Sequence, residues 1–147
     1  MNRQISARLI IVMWLLISTV TRAETPPCAS RADLVGTCRT VHGRLFVANG
    51  IPLRIWVVGT KRVLAVAENT EGKDSDPEFV IPAPLLHAVD FDTQLYGDYT
   101  VCPVSRQRPG WMQSVCVERG ENLVQETFKE DGTSTVSRVI RPKVPKR

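Results

Sequence analysis

The sequence predicts an all-β fold, a small sandwich or barrel of about eight short antiparallel strands stabilised by disulfides. Three observations carry this. Ten Pro and nine Gly in 147 residues interrupt the chain too often for long helices. Short runs alternate apolar and polar residues, and turn signals separate them about every 8–12 residues. Four cysteines stand behind an N-terminal leader of the export type. Hydrophobic residues make up 43% and charged residues 23%, which suits a folded domain and excludes global disorder. The length suits one domain and excludes a two-domain dehydrogenase.

The leader is residues 1–23. Arg3 and Arg8 precede the apolar run 9–20 (LIIVMWLLISTV), and Thr21-Arg22-Ala23 supplies a small-residue cleavage site. That order is the order of a secretory signal peptide. A spanning helix needs about 20 apolar residues, more than this run offers. The expected product is periplasmic or secreted, with no stable membrane span after cleavage. Residues 24–137 then form the single β-rich domain, and 138–147 a basic flexible tail.

The strands follow in order. Residues 41–48 (VHGRLFVA) and 53–58 (LRIWVV) flank Asn49-Gly50, a strong hairpin signal. Leu53, Ile55 and Val57 alternate with Arg54, Trp56 and Val58, so the first set faces the core. Gly59-Thr60-Lys61 turns the chain into 62–67 (RVLAVA), completing a meander of three. Residues 68–77 (ENTEGKDSDP) form a polar, acidic loop, and 78–81 a short strand stopped by Pro82 and Pro84. Residues 85–92 (LLHAVDFD) fit either a helical turn or a strand. Residues 96–104 and 113–117 flank Pro109-Gly110 and form a second hairpin. Residues 123–129 and 133–140 flank Asp131-Gly132 and form the last.

Export implies an oxidising compartment, so Cys28, Cys38, Cys102 and Cys116 read as two disulfides. Four cysteines allow three connectivities. The expected one is Cys28–Cys38 with Cys102–Cys116. Cys102 and Cys116 are equidistant from Pro109, so folding there sets their sulfurs opposite each other. Zinc is not expected, because no two cysteines are closer than ten residues and His42 and His87 stand alone. Nor is a cofactor expected.

Two stretches, 49–62 (NGIPLRIWVVGTKR) and 95–117 (LYGDYTVCPVSRQRPGWMQSVCV), carry a resemblance. They are similar to exported bacterial β-rich proteins with the same turn, Arg-Ile-Trp, Gly-Thr and paired cysteines. The resemblance implies an exported bacterial β-domain. It implies no activity and carries over no functional residue.

The formal charge of +4 invites a nucleic-acid reading, but its distribution argues against one. The leader holds three basic residues and residues 138–147 five, neither with an acid. The body between holds 11 basic and 15 acidic residues. The serine-hydrolase patterns G-x-S-x-G and S-x-x-K are absent. His87, Asp90 and Asp92, with Asp98 soon after, are the acid–imidazole cluster an envelope hydrolase or metal-dependent enzyme would use. His87 shares a face with Asp90 only if the segment is helical. The best binding candidates are Arg54, Trp56, Arg106, Arg108 and Trp111: guanidinium beside indole suits anionic, peptide or carbohydrate ligands. The expectation is a binding module for a protein, glycan or envelope ligand, without catalysis. Its alternatives are the hydrolase and an assembly protein that pairs through a strand edge.

Overall fold

The computed structural model describes Cys28 and residues 31–49, 53–69 and 78–138. The leader, the Gly50 turn, the centre of the acidic loop and residues 139–147 lie outside the described residues. Eight strands and one helical turn follow in order: β1 Arg39–Val47, β2 Leu53–Val57, β3 Val63–Val66, β4 Glu68–Asn69, β5 Glu78–Phe79, α1 Ala83–Leu86, β6 Thr93–Pro103, β7 Gln113–Phe128 and β8 Ser134–Arg138. Arg138, counted from the sequence as the start of the tail, is thus the last residue of β8.

The six longer strands lie in the order β3-β2-β1-β6-β7-β8. A parallel pairing of β3 with β7, Leu64 opposite Gln113 and Val66 opposite Val115, turns the first five into a closed barrel. The antiparallel neighbours follow from the hairpins: Val47 pairs with Leu53 across the Asn49-Gly50 turn, and Cys102 with Cys116 across the Pro109-Gly110 loop. Gly110 takes φ +77°, and the Trp111 N–H donates to the Arg108 carbonyl at 3.2 Å, so a tight turn ends that loop. Asp131-Gly132 does the same before β8, with Gly132 at φ +79° and its N–H on Lys129 O.

The barrel interior is built from alternate positions, as pleating requires. Leu45, Leu53, Ile55, Leu64, Leu95, Tyr99, Val101, Val115 and Val117 are buried there, and Val57 packs against them half-buried. Tyr99 is fully buried, and its hydroxyl donates to Leu95 O at 2.8 Å. Gly43 and Gly97 face each other on β1 and β6. A Cβ on Gly43 would lie 2.6 Å from Ile55, and one on Gly97 2.8 Å from the Glu121 carbonyl. Strands with side chains there would not approach so closely.

Strand β7 is one element of 16 residues, where the sequence pattern gave two separate runs. Its first part closes the barrel. Its second part carries β8 as an arm. Two register shifts against β6 and a left-handed Asn122 (φ 53°) let it bend between these duties. Of the segment 85–92, Leu85 and Leu86 end the single turn α1, His87 is its C-cap, and residues 89–92 are irregular.

The expected disulfide pairing is wrong. The bridges are Cys28–Cys116 and Cys38–Cys102. Cys102 and Cys116 do sit opposite each other in register. But β1 runs along the other side of β6 with Arg39 opposite Val101, which puts Cys38 one step further, beside Cys102. Cys102 therefore has two cysteine neighbours, and hairpin symmetry sees only one. With Ala67 and Val80, Cys28, Cys102 and Cys116 form a second buried cluster, while Cys38 is exposed. The bridges span 88 and 64 residues, loops long enough for each to stabilise the fold by about 4 kcal/mol. Peptide mapping without reductant should yield the 28–116 and 38–102 linkages. Removing Cys38 and Cys102 together should lower the unfolding free energy by about 3–4 kcal/mol. A 28–38 peptide, or an unchanged unfolding midpoint, would contradict this arrangement.

Candidate functional site

The β2–β3 turn is built by its own side chains. Gly59 takes φ +76°. The Thr60 hydroxyl donates to Val57 O at 2.8 Å and accepts from the Arg62 N–H at 3.0 Å. Trp56 Nε1 donates to Thr60 O at 2.8 Å, so the indole ties the turn back onto the strand. The Arg44 guanidinium stands 5.1 Å from the Trp56 ring and 4.9 Å from that of Phe46. Trp56 is thus committed to holding the turn and flanking Arg44. The turn in consequence presents Lys61 and Arg62, both exposed.

Opposite this turn lies the tip of the β6–β7 hairpin. The parallel seam brings the two together, because Leu64 pairs with Gln113 at the base of that hairpin. Between them opens a cleft of about 430 Å³, within the size range of small-molecule sites. Arg54, Lys61 and Arg62 form one wall with Val63 and Leu64. Gln107, Arg108 and Trp111 form the other, with Met112 and Gln113. None of the described residues that line it is acidic. Among the described residues no carboxylate lies within 4.0 Å of Arg54, Lys61, Arg62 or Arg108. The Nε of Arg54 is buried without a hydrogen-bond partner among them.

Gln113 organises the floor. It is only 7% exposed. Its Nε2 donates to Ser105 O at 3.0 Å, which fixes the amide. Its Oε1 then accepts from Arg39 at 2.9 Å and from Arg62 at 3.3 Å. Two guanidinium groups converge on one neutral oxygen. Among the described residues no acid pairs with either, a ground state that an incoming anion would improve.

The structure thus gathers three of the five sequence-derived binding candidates, Arg54, Arg108 and Trp111, in one cleft. Arg106 is exposed on the same loop but outside the lining. Trp56 is on the outer face of β2, engaged as described. Lys61, Arg62 and Gln113 escaped sequence reasoning. The basic pair after Gly59-Thr60 was a readable signal for the first two. Gln113 becomes visible only through the β3–β7 register.

Other clusters are accounted for locally. Asp90 Oδ1 accepts from the Asp92 backbone N–H at 2.8 Å, a turn contact. His87 is exposed at the end of α1, and the turn ends before Asp90, so the helical face that would join them does not form. Instead His42 pairs with Asp98, Nδ1 to Oδ1 at 2.9 Å, and Asn122 donates to Asp98 Oδ2 at 2.6 Å. That pairing needs the β1–β6 register and was not foreseen. Cys28, Cys102 and Glu118 bring sulfur and carboxylate atoms close together. Both sulfurs are tied in disulfides and offer no thiolate. Two disulfides fit a non-cytoplasmic environment. No helix among the described residues is long and apolar enough to cross a membrane.

No family model, curated protein or solved structure matches the chain.

The hydrogen bonds from Asn122 and then His42 hold the Asp98 carboxyl below its ordinary value of 3.8. Asp33, Glu126 and Asp131 are lowered in the same direction by their hydrogen-bond donors. A carboxyl lowered on folding stabilises above its unfolded value, and that contribution disappears as pH falls through its folded one. Urea unfolding should therefore show level stability from neutral pH to about pH 5 and a decline as pH drops through 3.8 and below. Asp98→Asn should shallow that decline. Parallel declines in the two proteins would remove Asp98 from the account.

Proposed function

We propose that this chain is an exported binding module, periplasmic or secreted, that takes an anionic ligand in the cleft between the β2–β3 turn and the β6–β7 hairpin tip. The observation that carries this reading is the convergence of Arg39 and Arg62 on Gln113 Oε1 beside Arg54, Lys61 and Arg108, with no acid among the described lining residues. Cations left without counter-charges in a concave site focus potential outward and raise the local concentration of anions. Several donors in fork geometry are suited to carboxylate, sulfate or phosphate oxygens. Two disulfides and the apolar leader support an extracytoplasmic location. The barrel and its bridges hold the two walls in place, so little order has to be imposed on binding.

Calorimetric titration with inorganic tripolyphosphate tests the reading. The wild-type chain should bind, with affinity that falls as salt is raised. Replacing Arg62 and Arg108 together by Gln should weaken binding by about tenfold or more, the loss of roughly two charge-assisted contacts. Arg119→Gln, an exposed charge on β7 outside the cleft lining, should leave it near wild type. Equal losses in both variants would mean that overall basicity is at work and would sink the cleft as the site.

A further inference from the structure

We infer that the ligand is an acidic sugar, a pyranose whose ring lies on Trp111 while its carboxylate meets Arg62; this rests on the anion-binding reading above and narrows it. The deciding residue is Trp111. It lines the cleft yet is 77% exposed, the largest exposure among the described large apolar side chains. A bare inorganic anion would leave that indole in water and use only the cations. A ligand that uses both must carry an apolar face and a negative charge a few ångströms apart. A pyranose uronate has both. Its C–H groups present a weakly positive face to the negative face of the indole, and its carboxylate projects from the ring edge.

The remaining lining fits the same chemistry. Gln107 adds an amide donor and an amide acceptor for hydroxyl groups. The Pro109-Gly110 turn, closed by the Trp111 N–H to Arg108 O bond, presents Trp111 and Arg108 from one short rigid segment. On the opposite wall, Arg62 is aimed by Gln113.

The architecture also disfavours two other anionic polymers. An acidic peptide added as an extra strand needs a free edge. At this cleft β3 already pairs with β2 on one side and β7 on the other. A single-stranded nucleic acid stacks successive bases on successive aromatic side chains. Among the described residues that line this cleft one is aromatic, and the Trp56 and Phe46 rings are already engaged by Arg44.

The test uses the full chain and four probes of comparable length: trigalacturonate, its methyl ester, triglutamate and a short oligothymidylate. Trigalacturonate should bind about tenfold or more tightly than each of the other three. Trp111→Ala should weaken trigalacturonate by about tenfold while leaving the binding of inorganic tripolyphosphate, which has no ring face, near wild type, and Trp111→Tyr should restore most of the loss. Because Trp111 is exposed, its removal leaves the core intact. Triglutamate binding as tightly as trigalacturonate, or indifference to Trp111→Ala, would overturn the sugar assignment while leaving an anion site. Oligothymidylate binding more tightly than trigalacturonate would overturn it in favour of a base on the indole. Failure of the wild-type chain to bind either tripolyphosphate or trigalacturonate would overturn both readings.

Discussion

The short parallel seam between β3 and β7 is the constraint on which the rest depends. Three residue pairs make it, from Leu64–Gln113 to Val66–Val115. Without it the chain is a twisted open sheet whose first meander and last hairpin stand apart. With it the sheet closes, the apolar faces of five strands share one interior, and a turn rich in cations is brought against a loop that carries a tryptophan. The seam continues into a small network: Ala67 N–H donates to Val115 O, Val80 N–H to Ala67 O and Val117 N–H to Val80 O. The disulfide cluster packs beside it, through Ala67, Val80 and Cys116. Stability and site geometry therefore share one set of contacts.

What was legible in the sequence was local. Asn49-Gly50, Pro109-Gly110 and Asp131-Gly132 each lie between paired antiparallel strands, because the turn preference is written in the turn residues themselves. Core positions on β2 followed from alternation, since Leu53 and Ile55 are buried and Arg54 and Trp56 face outward. What was not legible was register between distant strands. Closure joins residues 64 and 113, and no local signal marks such a pairing. The same blindness produced the wrong bridges, because Cys102 has a neighbour on each side and only the hairpin neighbour is close in sequence.

The site divides along the same line. Arg54, Arg108 and Trp111 stood out as charged or aromatic residues at positions that strand and turn patterns expose. Trp56 shares that signature but spends its indole N–H on Thr60 and its ring on Arg44. A sequence cannot distinguish a tryptophan that faces a ligand from one that braces a turn. Gln113 looked like an ordinary strand residue, yet it is buried and aims two guanidinium groups. His87, Asp90 and Asp92 were close in sequence and remain unassembled. His42 and Asp98 are distant in sequence, and β1–β6 pairing sets them side by side.

The account is tested most directly by amide hydrogen exchange at Ala67, followed by NMR. Its N–H bridges to the Val115 carbonyl at 2.8 Å and so reports the closed state of the barrel. If closure builds both the core and the cleft, this amide should exchange only through global unfolding, in step with the interior amides of β6. Exchange at the rate of an open segment, while β6 stays protected, would show that the seam is not formed and that the two walls do not make one site.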